Sequence, residues 1–513
     1  MAAKWWDKIL NGLGLKRISN SIEGSGPLTA ASFWEWVMAP MSGSLSMDTE
    51  LRVRLPFLRR EARKLAFNNP IISQYLELLR DNVIGPHGMK LQAQIKNSNG
   101  KLNKLFCDRI EAGWADFWSD PWVDGKMDGV SGEQLLIQNC AIDGEFFVRI
   151  ITAPWAKYGI KLQMLVPDQI DTNCNRPAGA EGNEIRLGVE IDGWGRPVAY
   201  HCYTSDPTDI SGSGRQLVRI AAEDIIHFYD PERIGQSRGY TWFSTVMQNL
   251  RNLDGYVEAA ILAARTAACA VPIFKMTTDF GVDEKAGNYK VNMEPGKGIT
   301  IPAGLELQEW NPNHPHTNHG EFIKGNLRFS SSGLHVSYNA LANDLEGVNY
   351  SSMRSGLLIE RDGWRTLQRL WISQFRQRVY QRWLWGALLT GELVLDSRDP
   401  KKFHAVTWVP RGWAWVDPLK DMTAAILGIE NRLGSRTAYL AEQGNDYETV
   451  CDQLAAENDI SAASGLPNQT PAEQQPPGKK AALRLAVVNM LLDENSDIDP
   501  ERLRALMKGS NHG

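Results

Sequence analysis

Apolar positions recur every three to four residues from Asp48 onward, and this period predicts a helix through "RVRLPFLRREARKLAFNNP" followed by an amphipathic one through "IISQYLELLRDNVIG". Residues 1–47 instead scatter Trp5, Trp6, Trp34 and Trp36 among Gly and Ser with no sustained period, the pattern of an arm that needs a partner surface. Between Gly144 and Asp230 the period shortens to two. "GEFFVRIIT", "KLQMLVPDQI", "IRLGVEID" and "RPVAYHCYT" read as strands, the last two joined by the turn residues Gly193 and Gly195. The helical period returns in "GYTWFSTVMQNLRNLDGYVEAAILAARTAACAV", where Phe243, Met247, Leu250, Leu253, Val257, Ile261 and Ala264 share a face.

Residues 270–312 read as short strands and turns ("VPIFKM", "GKGITIPAGLELQEW"), and "HGEFIKGNLRFSSSGLHVSYNALAND" resumes a mostly helical pattern. A small β insert therefore separates two helices. Met353, Leu357, Trp364, Leu367, Trp371, Phe375, Val379 and Trp383 then trace a helix of nearly forty residues, with Arg361, Arg365, Arg369 and Arg376 displaced from the apolar ladder. Asp417-Pro418 opens a further helical region reaching about Asp459. Residues 461–480, rich in Pro, Gln, Ser and Gly, read as a linker before one or two short terminal helices.

Composition narrows the function classes. The 513 residues suffice for several domains, and 55 basic against 60 acidic residues leave a net charge of −5, without the basic excess of a sequence-reading DNA binder. The basic run Arg52, Arg54, Arg59, Arg60, Arg63 and Lys64 could touch phosphate, but a solvated or acid-paired face explains it more simply. Six single cysteines (Cys107, Cys140, Cys174, Cys202, Cys269, Cys451) show no zinc spacing and fit free thiols in a reducing compartment. "MAAKWWDKILNGLGL" lacks the apolar core of a signal peptide and no later run is apolar enough to span a bilayer, so a soluble cytoplasmic protein is expected.

Catalytic motifs are scarce. "EPGKGIT" lacks the earlier glycine of a P-loop, and His314, His316 and His319 lack the partners that would complete a metal shell. Asp143 and Glu145 in "IDGEFF" could be paired carboxylates, although strand alternation alone would place them together on a solvent face. With Asp168 they would be the metal ligands if the protein were a nucleic-acid-processing enzyme. A second alternative is a capsid or baseplate component that never meets DNA.

The stretch "NALANDLEGVNYSS" sets Asp344, Glu346 and Gly347 between two helical patterns. Its glycine comes fourth from Asp344 rather than sixth, so it is not an EF-hand loop. Its acids cannot grip phosphate but would keep a polyanion from sticking to a surface it slides past.

In this order of elements, "AFNNPIISQYLELLRDNVIGPHGMKLQA", "VPDQID", "EDIIHFYDPERIGQSRGYTWFS", "LRNLDGYVEAAILAARTAACAVPIF", "LANDLEGVNYSSMRSG" and "TWVPRGWAWVDPLKD" span roughly residues 50–460. The chain thereby resembles the portal proteins of tailed bacteriophages, in the lambda-like branch. The resemblance implies an α+β portal fold with a β-rich wing and clip, long stem and wing helices and a helical crown. It also implies a ring, usually a dodecamer, at one capsid vertex through which double-stranded DNA is packaged and ejected.

By that resemblance residues 1–47 are an arm, 48–240 the wing, 241–269 and 313–342 the stem helices, and 270–312 the clip. Residues 343–352 become the tunnel loop, 353–417 the long wing helix and wing return, 418–460 the crown, and 461–513 a linker and tail. Asn343, Asp344, Leu345, Glu346, Gly347, Val348, Asn349 and Tyr350 would line the DNA channel. Lys275, Asp283, Glu284, Lys297 and Glu306 would mark the clip surface that docks partners. The implied partners are further copies of the chain, the terminase large subunit, head-completion or connector proteins, major capsid and scaffold proteins, and DNA. No membrane, cofactor, metal or catalytic residue is implied, and the protein would belong to the virion after assembly in the bacterial cytoplasm.

Overall fold

A computed structural model of the chain describes residues 46–97, 100, 102–179, 182–209, 215–268, 273–276, 305–308, 319–347, 349–395, 400–413, 418–443 and 445–463. Helix α1 (Met47–Asn68) starts at the N-cap Ser46 and continues through Pro56, a residue that ordinarily costs a helix interior ~3 kcal/mol. Burial offsets that cost, because Leu51, Leu55, Leu58, Arg59 and Ala62 all face inward. Asn69 caps α2 (Pro70–Leu79) by accepting from the amides of Ile71 and Ile72, and α2 ends in a π-turn, Arg80–Ile84. After β1 (Lys90–Ala93) come α3 (Lys104–Ser119) and α4 (Gly129–Asp143), which the alternation did not single out.

The expected β-rich region follows. It comprises β2 (Glu145–Thr152), β3 (Ile160–Leu165), β4 (Glu184–Arg186), β5 (Val189–Ile191), β6 (Pro197–Tyr203), β7 (Leu217–Ala221) and β8 (Ile225–Tyr229). β2 lies between β3 and β8 in one antiparallel sheet, while β4 to β7 form an antiparallel meander. "IRLGVEID" is two strands rather than one. Leu187 and Gly188, at φ 51° and 82°, turn it into a tight hairpin, since two successive left-handed residues reverse a chain with the twist that strands favour.

Turns fill 239–246 before α5 (Met247–Ala268), so that helix begins later than its apolar period suggested. β9 (Ile273–Met276) pairs antiparallel with β10 (Leu305–Gln308), as expected of a β insert between helices. Next come α6 (His319–Gly333) and α7 (Tyr338–Ala342), two helices where one mostly continuous pattern was read. His335, at φ 56°, breaks them apart. From Tyr350 the long helix runs as α8 (Tyr350–Trp371), a π-turn (Ile372–Arg376) and α9 (Gln377–Thr390). β11 (Val406–Val409) returns to pair with β1, and α10 (Pro418–Glu430), α11 (Arg436–Glu442) and α12 (Tyr447–Ala463) form a separate compact unit. α12 extends past Ser461, where a linker was expected; residues 464–513 lie outside the described ones.

The long helix is the spine of the first unit. Trp364, Trp371, Phe375, Val379 and Trp383 are buried as their spacing predicts. Arg376 is also fully buried, against the expectation that it lies off the apolar ladder. The extra residue of the π-turn re-phases the helix, so that Arg376 shares the inward side with Trp371 and Phe375. Its guanidinium forks onto Glu133 of α4, with Nε 2.5 Å from Oε1, and lies over the rings of Trp118 and Trp408 at 4.6 and 5.0 Å. Trp371 Nε1 donates to the same Glu133 at 2.9 Å. Around this pair Trp114 meets Trp118, Trp383 and Trp408 at centroid distances of 4.9, 5.4 and 5.4 Å.

A second buried polar centre joins α1, α4, β2, β8 and the turn before α5. Glu145, fully buried, pairs with Arg59 and with Arg238 (Nη2 at 2.7 Å), while its other oxygen accepts from Gly239 N at 2.8 Å and from His227 Nε2 at 2.9 Å. Arg238 also donates to the carbonyls of Leu187, Pro167 and Ile170, so almost every donor of its fork is used. Arg63 holds Asp143 bidentately at 2.7 and 2.9 Å and reaches Asp168 at 2.6 Å, and Arg59 reaches Asp168 at 3.1 Å. Asp143, Glu145 and Asp168 thus face Arg59, Arg63 and Arg238, three acids against three bases. Asp143 and Glu145 are not on a solvent face: the strand begins at Glu145 only because α4 ends there, and the helix-to-strand corner turns both acids inward. Part of the basic run of α1 is therefore acid-paired.

Burial raises the proton affinity of the Glu145 carboxyl, but Arg238, Arg59 and the hydrogen bond from His227 outweigh it and hold the group well below the usual carboxylate range. Burial lowers that of His227, which stays neutral and donates from Nε2. On acidification below about 6.5, His227 gains a proton on unfolding that the folded state refuses, and below about 4.5 Glu145 does the same, so both favour the unfolded chain. Asp143, raised by burial, works in the opposite direction.

Trp371→Ala should lower stability by about 3–5 kcal/mol, whereas Trp385→Ala, at a half-exposed position, should change the monomer by less than about 0.5 kcal/mol; denaturant titration of both variants checks this. Glu145→Gln, which leaves Arg238 buried without its ion-pair partner and Arg59 with Asp168 alone, should cost roughly 3–5 kcal/mol at neutral pH. The wild-type apparent melting midpoint should fall from neutral pH to about pH 5, and His227→Gln should remove that first fall while keeping the later one in the carboxylate range.

Candidate functional site

The acids that an enzyme would have used as metal ligands do come together, but around guanidinium groups. Asp143 and Asp168 share Arg63, Asp168 and Glu145 share Arg59, and the space between the carboxylates is filled. Among the described residues no group of three or more His, Cys, Asp and Glu side chains is arranged to hold a metal ion. His319 instead stacks on Tyr256, its Nδ1 3.0 Å from the phenol oxygen, and His314 and His316 lie outside the described residues. Cys107, Cys140, Cys174, Cys202 and Cys451 are free thiols, as expected, and Cys269 lies outside the described residues. No helix among the described residues is long and apolar enough to cross a membrane.

Two regions hold the residues singled out for partner docking and for the DNA channel. The first is β9 and β10, where Lys275 and Glu306 stand opposite one another in the antiparallel register. Asp283, Glu284 and Lys297 lie outside the described residues.

The second is the connection from α7 to α8. Asn343 ends α7 in the left-handed region at φ 51°, a conformation that asparagine tolerates better than most residues, and Gly347 adopts φ 71°. Between them Asp344 organises the turn. Its Oδ1 accepts from Glu346 N at 2.9 Å and its Oδ2 from the Tyr338 hydroxyl at 2.7 Å. The backbone amide of Glu346 and the Tyr338 hydroxyl hold the Asp344 carboxyl below its ordinary value. Leu345 and Glu346 point to solvent, Val348 lies outside the described residues, and Asn349 O accepts from Met353 N as Tyr350 begins α8.

Lys324 and Tyr338 were not foreseen. Lys324 of α6 places Nζ 2.7 Å from Glu346 Oε2 and 3.6 Å from Asp344 Oδ2, and the Glu346 carboxylate raises its proton affinity. Arg328, one turn later, lies over the Tyr338 ring at 5.3 Å. Tyr338 sits six residues before its acid and could have been sought by local pattern; Lys324 is 22 residues from Glu346 and no spacing rule links them.

Several helices leave large apolar side chains uncovered. α5 and α6 run antiparallel, tied by Thr245 Oγ1 to Gly333 O at 2.9 Å, Asn249 Nδ2 to Ser330 Oγ at 2.7 Å and the ring pair Tyr256 and Phe322. Leu250 and Leu253 are buried near the start of α5, whereas Ile261 on α5, Phe322 and Phe329 on α6, Leu345 in the loop and Leu358 and Ile359 on α8 are exposed. Large apolar side chains left in water on one subunit are available to a partner surface.

A family model described as "Phage portal protein, lambda family" matches residues 39–368. A probable portal protein of Halomonas phage phiHAP-1 is 32% identical over 456 residues, covering 86% of each chain. Portal protein B of Escherichia phage lambda is 23% identical over 476 residues, covering 82% of this chain and 87% of its own. Among solved structures, chains from the necks of an empty gene transfer agent particle in C6 symmetry and of a native one in C12 symmetry align with TM-scores of 0.40 and 0.39 at 13% and 12% identity. They cover 77% and 80% of this chain and 93% and 94% of their own, an overlap too loose to add to the assignment. The family match and the phiHAP-1 relative, together with a mixed helix-and-sheet chain whose acids serve structure, lead to one statement: the chain belongs to the lambda family of phage portal proteins.

Proposed function

We propose that copies of this chain close into a ring, a dodecamer by family resemblance, at one vertex of the capsid, and that double-stranded DNA enters and leaves through its centre. The observation that carries the reading is that α5, α6 and α8 leave Ile261, Phe322, Phe329, Leu358 and Ile359 exposed in a single subunit. In a closed ring each subunit covers that surface on its neighbour, and heterologous contacts that close leave none of it wet. Within this reading 48–240 with the long helix form the wing, α5 and α6 the stem, β9, β10 and the residues between them the clip, the turn after α7 the tunnel loop, and α10 to α12 the crown. The clip projects from the end of the stem and is where the terminase large subunit and later the connector proteins dock. The wing and crown meet capsid and scaffold proteins, and assembly takes place in the host cytoplasm.

The acids at 344 and 346 give the channel less negative charge than two carboxylates per subunit would, because Lys324 offsets part of it. Repulsion from phosphate is screened within about 10 Å at ~0.1 M salt, so the loop acts only on DNA that comes close.

Mass photometry or electron microscopy of the full chain should find one closed oligomer. Monomers alone, under salt and concentration that favour assembly, would overturn the reading. Glu346→Lys, at an exposed position, should leave the ring intact but slow DNA packaging at low salt, with partial recovery as salt rises; wild-type packaging rates at low salt in assembled rings would remove the loop from the channel. Deleting 280–292 should abolish capture of the terminase large subunit in a pull-down, and intact capture would move the docking surface elsewhere.

A further inference from the structure

We propose that Lys324 is a clasp that holds the turn between α7 and α8 against α6 through Asp344 and Glu346, and that a passing phosphate releases the turn by taking the lysine from these two carboxylates. The inference rests on the channel reading above and adds a positioning residue and a release step to it. The turn is shaped by its own bonds, Tyr338 to Asp344 and the amide of Glu346 to Asp344, but neither reaches α6. Lys324 does, at 2.7 Å from Glu346 and 3.6 Å from Asp344.

The chemistry of the pair suits a clasp that must open. Glu346 is 79% exposed and the lysine about one-third exposed, so water and ions compete for both and the contact is a weak one. A lysine ammonium is a compact point charge with three rotatable donors, and exchanges one oxyanion for another without the loss of a fixed fork geometry. A phosphate oxygen approaching from the exposed side of Glu346 is such a replacement. When Lys324 turns to it, Asp344 and Glu346 lose their shared counter-charge and face a phosphate with two bare carboxylates. Each grip by the lysine thus generates the repulsion that ends it, a contact limited in strength by its own geometry.

The experiment uses the full chain and thermolysin, which cuts on the amino side of Leu345, a residue that is already exposed. Lys324→Met keeps the aliphatic stem and removes the charge. Without DNA, at low salt, it should speed cleavage at Leu345 by about two- to five-fold, the range of an exposed ion pair. Raising salt should bring wild type toward the variant and leave the variant unchanged. The swapped double variant Lys324→Glu with Glu346→Lys should restore wild-type protection, which a lysine important only for helix packing would not allow. Adding a short DNA duplex to assembled wild-type rings should speed cleavage, and should not do so in Lys324→Met rings. Equal cleavage of wild type and Lys324→Met, failure of the swap to restore protection, or indifference of wild-type rings to DNA would each overturn the proposal. If the chain forms no rings, the channel reading fails separately, because the effect of Lys324→Met and its rescue by the swap are still read on the monomer.

Discussion

Glu145 is buried among Arg59, Arg238 and His227, and the first compact unit is arranged so that this carboxylate never lacks a donor. A charge taken out of water is costly unless it is paired and fully hydrogen-bonded, so each of its partners must arrive in register. Arg59 comes from α1, His227 from β8, and Arg238 and Gly239 from the turn that feeds α5. Gly144 and Gly239 allow the two backbones to meet: a Cβ on Gly239 would stand 2.1 Å from Gly144 O, and one on Gly144 2.0 Å from the Tyr240 carbonyl carbon. The ion-pair centre therefore sets where the β-rich region ends and where the exposed helix pair begins.

The second buried pair, Glu133 with Arg376, does the corresponding work for the long helix. An amphipathic helix sliding along its own axis would keep much of its apolar contact, whereas a guanidinium fork on a carboxylate fits at one position. The π-turn is what presents Arg376 inward, and the tryptophans at 114, 118, 371, 383 and 408 exclude water around it. With the axial position of the helix defined at its middle, the place of its first turn at Tyr350, and so of the loop before it, is defined as well.

Farther from these centres the balance reverses. α5 and α6 leave large apolar side chains uncovered, and the loop that follows is tied by local hydrogen bonds and by the half-buried Lys324. A subunit built in this way fixes its geometry where its core is dense and leaves large apolar side chains uncovered on α5, α6 and α8. On the reading proposed above, neighbouring subunits complete that surface.

Much of the architecture was legible in the chain itself, because periodicity reports which side of an element meets water. A β-rich region between Gly144 and Asp230, the helices at Met247 and Tyr350, the β insert and the acidic turn follow from it, while the portal family was legible as a resemblance in specific words. Tertiary structure decided the cases in which a polar residue faces inward. No local rule told that Asp143 and Glu145 turn into the core at a helix-to-strand corner, that Arg376 is re-phased by a π-turn, or that "IRLGVEID" folds back on itself at Leu187. Nor could spacing join Lys324 to Glu346 or Arg59 to Glu145. Hydrophobic pattern is a property of neighbours along the chain, whereas the partner of a charge is chosen by packing across it, and that choice exists only once the elements have met.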